Sequence, residues 1–427
     1  MQYDLDAVRR RFPALSISDS DTPRIYFDNP GGTQVPQGVV DAIRDCLVEA
    51  NANIGGGFAT SNRVDEIVAG AHAAMADMLN ASSPDEIVFG QNMTTITLHL
   101  SRSIGRQLHP GDEIILSRMD HDANVNPWLL MARDHGVTVR WLPFNTETFE
   151  FDLPELDELL TDKTRLVCVC GASNLTGTIN DTRAICERAR AAGAWTYIDA
   201  VQSVPHVATD VQDMGCDFLV CSAYKFFGPH QGILYGRRAV LEQLEPYKVR
   251  PAPEQIPGAF ETGTQNHEGM AGTIATVDYF AWIGATMAQQ YQEKYEHMSR
   301  RANHVHAALD YLFEYEASLA KRLIDGLQSL PGVKVQGITA TDAMDRRAPT
   351  VAFTAEGALP EVVAMELAQR NIFLWSGHNY AVEVVNALGL MDKGGVVRVG
   401  PVHYNSDDEI DRLLLELDHI LPQVRAA

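Results

Sequence analysis

The chain has 427 residues, of which 45% are apolar and 21% are charged, and its formal net charge is −22. This length and composition are typical of a globular protein with a large core, built as one large domain or as two or three smaller ones. Such an acidic surface repels phosphate backbones and anionic lipids, so we expect neither a nucleic acid nor a membrane as a partner.

The six cysteines and the amino terminus indicate the compartment. No two cysteines have the CxxC spacing of a zinc site, so we predict no metal and expect reduced thiols in the core. The first fifteen residues, MQYDLDAVRRRFPAL, lack the apolar segment of a signal peptide. No stretch approaches the ~20 apolar residues of a membrane-spanning helix. We therefore expect a cytoplasmic protein.

Short β-rich runs alternate with helical patterns in the first half of the chain. The predicted strands are residues 86–90, 112–117, 137–144, 164–172, 195–200, 217–223 and 232–237. The clearest amphipathic helices between them are residues 94–108, 153–161 and 181–193. This alternation predicts an α/β fold with a mainly parallel, seven-stranded sheet covered by helices on both faces. The link after Lys225 contains no helix, so we expect one antiparallel strand there.

Beyond residue 275 the pattern changes to long helices followed by short strands, one of them at residues 372–377, which predicts a smaller C-terminal α+β domain. We expect residues 23–285 to form the large domain and residues 286–427 to form the small one. Residues 1–22 are predicted to be an N-terminal segment that packs with the small domain.

Polar side chains gather where the predicted strands end, which is where an open parallel sheet binds its ligands. They are Thr94 and Thr95 at a helix start, His121, Asn174, Asp199 with Gln202, and Ser222, Tyr224 and Lys225. Each has an ordinary explanation when taken alone, such as a helix cap, a structural histidine or a solvated lysine. Together they put a phosphate-type helix start, an imidazole, an amide, a carboxylate and an amine at one edge of one sheet.

This set of groups fits pyridoxal phosphate. That cofactor needs a lysine for its aldehyde, a carboxylate for its ring nitrogen and donors for its phosphate. No GxGxxG motif follows the first strand and no GxxxxGK[ST] motif occurs, which disfavours a dinucleotide or ATP.

Several longer motifs resemble the class V aminotransferase family of fold-type I pyridoxal-phosphate enzymes. In order they are IYFDNPGGTQVP, GASNLTGTIND, YIDAVQSVPHVATDVQDMGCDFLVCSAYKFFGPHQGILYGR, FETGTQN and VVRVGPVHYNSDDEID. The resemblance covers nearly the whole chain and is closest to the cysteine desulfurase-like branch. It implies the fold of type I pyridoxal-phosphate transferases, a large domain that binds the cofactor, and a homodimer with shared active sites.

The resemblance also implies a role for each candidate residue. Lys225 would form the internal aldimine, Asp199 would pair with the ring nitrogen, and His121 would stack on the ring and help to move protons. Arg398 would grip the substrate carboxylate with a two-pronged contact. The other implied cofactor ligands are Asn174 and Gln202 near the ring hydroxyl, Thr94, Thr95, Ser222 and Tyr224 at the phosphate, and Thr264 at the phosphate of the neighbouring subunit.

Residues 375–381, WSGHNYA, depart from the desulfurase-like branch, which carries an arginine and a cysteine in the matching stretch. Trp375 replaces the arginine and Tyr380 replaces the cysteine, so a loop thiolate cannot attack the substrate sulfur. Phe58, which follows three glycines, would join Trp375 in a roomier and more apolar pocket. We therefore predict Arg398, Tyr380, Trp375 and Phe58 as substrate-binding residues.

We expect an enzyme that acts at Cα of an amino-acid substrate, of the aminotransferase or C–S/β-elimination lyase type, and not a loop-cysteine desulfurase. One alternative is an epimerase, or a biosynthetic enzyme that forms carbon–carbon bonds or cyclises its substrate. Another is a non-catalytic sensor or scaffold that binds pyridoxal phosphate. The presence of Lys225, Asp199 and Arg398 together favours an enzyme.

Overall fold

The structure is a computed structural model that describes residues 3–425. Met1, Gln2, Ala426 and Ala427, which fall in the predicted segments 1–22 and 286–427, lie outside the described residues. The predicted domain limits at residues 22 and 285 stay predictions.

Strands and helices alternate along the first half of the chain, as the sequence pattern predicts. The strands are β1 (Ser18–Asp19), β2 (Thr22–Pro23), β3 (Ile25–Tyr26), β4 (Ile87–Gly90), β5 (Glu113–Ser117), β6 (Thr138–Leu142), β7 (Thr164–Cys170), β8 (Trp195–Asp199), β9 (Phe218–Ser222), β10 (Gly232–Gly236), β11 (Val333–Gln336), β12 (Val351–Ala355), β13 (Ile372–Phe373), β14 (Trp375–Gly377) and β15 (Val396–Val399). The helices are α1 (Leu5–Arg9), α2 (Gln37–Glu49), α3 (Ala59–Leu79), α4 (Met93–Gly105), α5 (Asn126–His135), α6 (Leu153–Leu159), α7 (Thr182–Ala191), α8 (Val211–Met214), α9 (Arg238–Leu241), α10 (His267–Thr286), α11 (Arg300–Ser329), α12 (Pro360–Ala368), α13 (Val382–Ala387) and α14 (Asp407–Arg425). Between Tyr3 and Arg425, none of these helices combines the length and the apolar character needed to cross a membrane.

The large sheet contains seven strands in the order β4-β10-β9-β8-β7-β5-β6. Strand β10 is antiparallel to both of its neighbours, and the remaining pairs are parallel. The predicted mainly parallel sheet is confirmed, including the antiparallel strand after Lys225. The short turn between β9 and β10 has no room for the crossover that a parallel pair requires.

Apolar side chains bury both faces of the large sheet. In β7, Val167 and Val169 point into a core cluster shared with α3, α10 and α11, whereas Leu166 and Cys168 point into a second cluster shared with α4 and α5. Successive side chains alternate between the faces of a strand, so a strand covered on both sides is apolar throughout. This burial leaves the strand ends as the places where polar side chains can reach solvent.

A smaller sheet of order β11-β12-β15-β14 packs its own core against α11, α12 and α14. It confirms the predicted C-terminal α+β region. One prediction there was wrong, because residues 372–377 form two strands and not one. Strand β13 pairs in parallel with β3 near the amino terminus, and β14 pairs with β15. The amino-terminal residues also contact the C-terminal part, where Arg9 pairs with Glu409 at 2.9 Å.

Candidate active site

A cavity of about 870 Å³ opens where the parallel strands of the large sheet end. That volume is in the usual range for small-molecule sites. All but three of the predicted site residues line it. The residues that line it are Thr94, His121, Asn174, Asp199, Gln202, Ser222, Tyr224 and Lys225 from the large sheet and Trp375, Tyr380 and Arg398 from the small sheet and its loop. Residues far apart in the sequence therefore share one cavity.

Three predicted residues do not line this cavity. The Thr95 hydroxyl donates to Oδ1 of Asn92 at 3.0 Å, and Thr95 and Thr264 line a separate cleft of about 310 Å³. Phe58 precedes α3 and is 57% exposed. Neighbouring residues at a helix start point about 100° apart, so Thr94 faces the cavity and Thr95 does not.

Lys225 lies in the turn that follows β9, where its Nζ donates to the carbonyl oxygen of Pro30. Burial, with a contribution from the charge of Arg398, lowers the pKa of Lys225 to about 7, although Asp199 opposes this effect. Desolvation disfavours an ammonium ion, which explains the direction. A large fraction of the amine is therefore unprotonated at neutral pH and able to act as a nucleophile or a base.

Asp199 ends β8 and is 5% exposed. Its Oδ1 accepts the backbone N–H of Val201 at 3.0 Å. Burial raises the pKa of Asp199 to about 6, and the nearby Lys225 limits the rise. A buried carboxylate with so few partners is stabilised by any cation that enters the cavity.

His121 is held by its neighbours in a neutral form. Its Nδ1 accepts the N–H of Ala123 at 3.0 Å, which leaves the proton on Nε2. Burial and the charges of Lys225 and Arg398 lower the pKa of His121 to about 3. The preceding residue, Asp120, ties this loop to β7 by accepting the N–H of Cys170 at 3.1 Å. No pattern in the sequence marks Asp120, because a carboxylate beside a histidine carries no periodic signal.

Arg398 on β15 is 5% exposed and has donors to spare. Its Nη1 donates to the carbonyl of Asn174 at 2.9 Å, its Nε has no partner, and within residues 3–425 no carboxylate lies within 4.0 Å of it. Burial lowers the pKa of Arg398 to about 9, which leaves it charged at neutral pH. The Oδ1 atom of Asn174 is also without a partner. Unpaired buried polar atoms beside a cavity indicate a missing polar ligand.

The start of α4 is joined to the end of β9. Ser222 Oγ accepts the N–H of Met93 at 3.2 Å, and Asn92 caps the helix by accepting the N–H of Thr95 at 2.9 Å. The Tyr224 ring stacks on His230, with ring centroids 5.0 Å apart. Free N–H groups at the start of a thirteen-residue helix favour an anion. Asn92 and His230 were not among the residues predicted from the sequence.

The small sheet supplies the outer wall of the cavity. Trp375 lies directly opposite Arg398 in the β14–β15 pair, so both side chains share one face. The Trp375 ring packs against Gly31, where an added Cβ would come within 2.3 Å of the indole nitrogen. Tyr380 is 65% exposed and stacks on His121 with centroids 5.2 Å apart. Three further residues that line the cavity were not predicted from the sequence, namely Ser376, His378 and Asn379.

These residues fit pyridoxal phosphate. An amine with a lowered pKa and a buried carboxylate line the same cavity, and a helix start and a guanidinium with unused donors border it. Such a donor set can hold an aldehyde, a ring nitrogen and two separate anionic groups.

The chain is similar to known proteins along nearly its whole length. The family model described as "Aminotransferase class-V" matches residues 25–306 and 298–413. An aminotransferase-like protein of Gibberella zeae, FGM3, is 34% identical over 98% of this chain and 99% of its own length. A cysteine desulfurase of Serratia proteamaculans is 30% identical over 98% of this chain and 99% of its own.

Solved structures of cysteine desulfurases have the same fold. The apo form from Thermococcus onnurineus NA1 superimposes with a TM-score of 0.86 at 25% identity, covering 99% of each chain. A cysteine desulfurase of Escherichia coli, CsdA, superimposes with a TM-score of 0.83 at 26% identity, covering 99% of this chain and 100% of that one. The expected type I fold is thereby confirmed. The chain therefore belongs to the class V aminotransferase family and is a pyridoxal-phosphate-dependent enzyme.

Proposed function

We propose that this enzyme acts at Cα of an amino-acid substrate, that it is of the aminotransferase or C–S/β-elimination lyase type, and that it is not a loop-cysteine desulfurase. One observation carries the proposal. A single cavity contains the amine of Lys225, the carboxylate of Asp199 and the buried guanidinium of Arg398, which has no carboxylate partner among the described residues.

Pyridoxal phosphate, when bound, supplies an electron sink for negative charge that develops at Cα. In our proposal Lys225 would hold the aldehyde, Asp199 would hold the ring nitrogen as a cation, and His121 would cover one face of the ring. Asn174 and Gln202 would lie near the ring hydroxyl. Thr94, Ser222 and Tyr224 would hold the phosphate. Asn92, which caps the helix that carries Thr94, and His230, which stacks on Tyr224, also line the cavity and would extend that group.

Lys225 is the proposed acid and base. Its pKa of about 7 lets Nζ take a proton from Cα at neutral pH and return it at a later step. An amine with an ordinary lysine pKa would be almost entirely protonated under the same conditions. The pKa of His121, lowered to about 3, leaves that ring neutral and able to stack without adding charge beside Lys225.

Arg398 is proposed to orient the substrate through its α-carboxylate. The guanidinium is buried, charged and fixed by the carbonyl of Asn174, so its free donors need little reorganisation when an anion arrives. Trp375 shares a face with Arg398 and would contact the rest of the substrate.

The cysteines argue against loop-thiolate chemistry. Tyr380 occupies the loop position, and all six cysteines are buried free thiols within the described residues. Cys170 lines the cavity, but burial raises its pKa well above that of an ordinary thiol. A persulfide-forming attack needs an accessible thiolate.

Product analysis after a panel of amino acids tests the proposal. A keto acid formed while an added second keto acid gains the amino group supports transamination, and a keto acid formed together with free ammonia, and with sulfide when the substrate carries sulfur, supports elimination. Inverted stereochemistry without loss of the amino group would support the epimerase alternative, and a new carbon–carbon bond would support a biosynthetic enzyme. A cofactor spectrum that no amine changes would favour a sensor or scaffold.

We also propose a cytoplasmic homodimer with shared active sites. Six reduced cysteines support the compartment. Thr264 lines a cleft separate from the active-site cavity of its own chain, which leaves it free to reach the cavity of a second copy. Mixing inactive Lys225→Ala chains with Thr264→Ala chains tests this arrangement. If each active site combines residues of two chains, activity should return in the mixture. A mixture that recovers no activity would contradict the shared active sites.

A further inference from the structure

The indole of Trp375 rests against the backbone of Gly31. Gly31 ends a short helical turn (Asn29–Gly31), and its φ is not positive, in contrast to that of the neighbouring Gly32, which is 152°. The backbone at position 31 would therefore accept an alanine. A Cβ atom there would lie 2.9 Å from Cδ1 of Trp375 and closer still to Nε1, and its three nearest atoms would all belong to that indole. The missing side chain at Gly31 thus makes room for Trp375.

This contact places the indole beside the two groups that would hold the substrate. Trp375 lies directly opposite Arg398 in the β14–β15 pair, where the Cβ atoms of facing residues are about 4.5–5.5 Å apart. Pro30, which precedes Gly31, accepts a hydrogen bond from Nζ of Lys225 through its carbonyl oxygen. A substrate whose carboxylate binds Arg398, and whose amino group and Cα hydrogen face Lys225, has only its side chain left to contact the indole.

The fixed charges of the cavity are already assigned. Among the lining residues that the structure describes, the only Asp, Glu, Lys or Arg side chains are those of Asp199, Lys225 and Arg398. In the proposed function they hold the ring nitrogen, the aldehyde and the α-carboxylate, so none is left for a charge on the substrate's side chain. A charged group that enters a cavity without a partner loses hydration that nothing replaces. The site therefore selects against charged side chains.

The substrate's side chain instead meets aromatic surface. The indole of Trp375 is 53% exposed, and Tyr380, which is 65% exposed, also lines the cavity. Tyr380 is held in place, because its carbonyl accepts the N–H of Asp122 at 2.8 Å and its ring stacks on His121. Exposed aromatic rings are stabilised when another apolar group covers them. The cavity of about 870 Å³ is at the upper end of the range for small-molecule sites, so it has room for a large side chain beside the cofactor.

We propose that this enzyme takes α-amino acids with a large uncharged side chain, either aromatic or branched aliphatic, and that the contact between Gly31 and Trp375 selects them. The proposal rests on the proposed function for the positions of the α-carboxylate and the amino group. Trp375 contacts the substrate, and Gly31 is a positioning residue that acts through Trp375. A site for an acidic amino acid would instead place a cation near position 375, because specificity for a charged group requires a partner for that charge.

Inert carboxylic acids separate this contact from the chemistry. Propionate, 3-phenylpropionate and succinate are the deaminated forms of alanine, phenylalanine and aspartate, so each carries the carboxylate for Arg398 but cannot react. Isothermal titration calorimetry with the cofactor-loaded enzyme measures their affinities. We expect 3-phenylpropionate to bind about tenfold more tightly than propionate, and succinate to bind no more tightly than propionate. Succinate that bound as tightly as 3-phenylpropionate would overturn the proposal and would indicate a cation in the cavity, such as His378.

Gly31→Ala tests the contact without changing the indole itself. The added Cβ displaces the ring, so the preference for 3-phenylpropionate over propionate should fall from about tenfold to about twofold, while propionate binds as in the wild type. Gly38→Ala adds the same atom in α2, where no described atom lies within 4 Å of it, and should leave the preference unchanged. A full preference in Gly31→Ala would overturn the positioning role of Gly31.

Trp375→Ala carries the test if Gly31→Ala does not fold. We expect the same fall in preference, and no further fall when Gly31→Ala is added, because both variants remove one contact. An exposed tryptophan can also serve as a subunit contact, which sedimentation of Trp375→Ala examines. A dissociated dimer that kept the full preference would overturn the proposal.

Titration of the cofactor spectrum with amino acids distinguishes this proposal from the proposed function. Phenylalanine and leucine should change the spectrum at lower concentrations than alanine or aspartate. A wild-type enzyme that responds best to alanine or aspartate would overturn the assigned substrate class and leave the proposed function intact. A spectrum that no amino acid changes would overturn the proposed function itself.

Discussion

The two walls of the cavity differ in how firmly the fold holds them. The wall from the large sheet consists of side chains at strand ends, such as Asp199 and Ser222, and both residues are buried. The wall from the small sheet carries Trp375 and Tyr380, which are 53% and 65% exposed. Strands β8 and β9 are paired on both sides, whereas β14 is an edge strand that leads into a loop.

The difference indicates that one part of the fold determines the reaction and another part determines the choice of substrate. Side chains at the ends of central strands are fixed by the core beneath them, so their geometry is insensitive to surface changes. Residues of an edge strand and its loop can be substituted with little effect on the rest of the sheet. We therefore expect changes in the first wall to abolish cofactor chemistry and changes in the second wall to alter substrate preference.

The largest effect is expected from Lys225→Ala. Without the amine, the absorption band of the lysine-linked cofactor should be replaced by that of the free aldehyde, and turnover should fall by about 10²- to 10⁴-fold, because both the attachment point and the proposed base are lost. Thermal unfolding should change little, since the loss of the hydrogen bond to Pro30 is offset by the removal of an amine that is costly to bury. Lys321→Ala on the surface of α11 is the control. Turnover at the wild-type rate would contradict the assignment of Lys225.

Cofactor uptake by the apoprotein should depend strongly on pH. Burial favours the neutral form of Lys225, whose pKa is about 7. The fraction of Lys225 in the reactive, unprotonated form therefore falls about tenfold for each pH unit below 7. Above pH 8 nearly all of the amine is unprotonated. Stopped-flow absorbance should show a rate that rises up to about pH 7 and then levels. A rate that kept rising toward pH 10 would indicate an unperturbed lysine.

Arg398→Ala should weaken substrates that carry an α-carboxylate by about 10- to 100-fold, which is the value of a hydrogen bond to a charged group. The matching amines without a carboxylate should lose little. Arg398→Lys keeps the charge without the two-pronged geometry and should give an intermediate loss. Titration of the cofactor spectrum with each pair of compounds measures the effect. Equal losses for both compounds would remove the carboxylate role.

Thr94→Val and Thr95→Val form a matched pair at the start of α4. Only Thr94 lines the cavity, so we expect Thr94→Val to weaken pyridoxal phosphate binding by about tenfold. The Thr95 hydroxyl is already bonded to Asn92, and its loss should change binding by less than about twofold. Equilibrium binding to the apoprotein distinguishes the two. A larger effect at Thr95 would restore the role that the sequence predicts for it.

The smallest effects are expected from the two exposed aromatic residues of the second wall. Tyr380→Ala and Trp375→Ala should change KM by about 2- to 10-fold, which is the range for one aromatic contact. The spectrum of the bound cofactor and its affinity should stay as in the wild type. Steady-state kinetics over several substrates measures the change. Loss of cofactor binding in either variant would show that the two walls are not independent.

Much of the fold could be predicted because its signals are local. The seven strands of the large sheet lie within the predicted runs, and the antiparallel strand follows from the missing helix after Lys225. The split of residues 372–377 could not be predicted, because β13 and β14 take their partners from distant parts of the chain. The roles assigned to the site residues stay predictions.

The sequence by itself determined which residues stand at the strand ends, since alternation and strand length are properties of neighbouring residues. It also carried the motifs that relate Lys225, Asp199 and Arg398 to one family. The tertiary structure alone decided that Thr94, and not Thr95, lines the cavity. It also decided that Arg398 is buried with unused hydrogen-bond donors. It alone brought Trp375 against Gly31. Contacts between residues more than a hundred positions apart depend on how whole elements pack, and no local pattern in the chain records that packing.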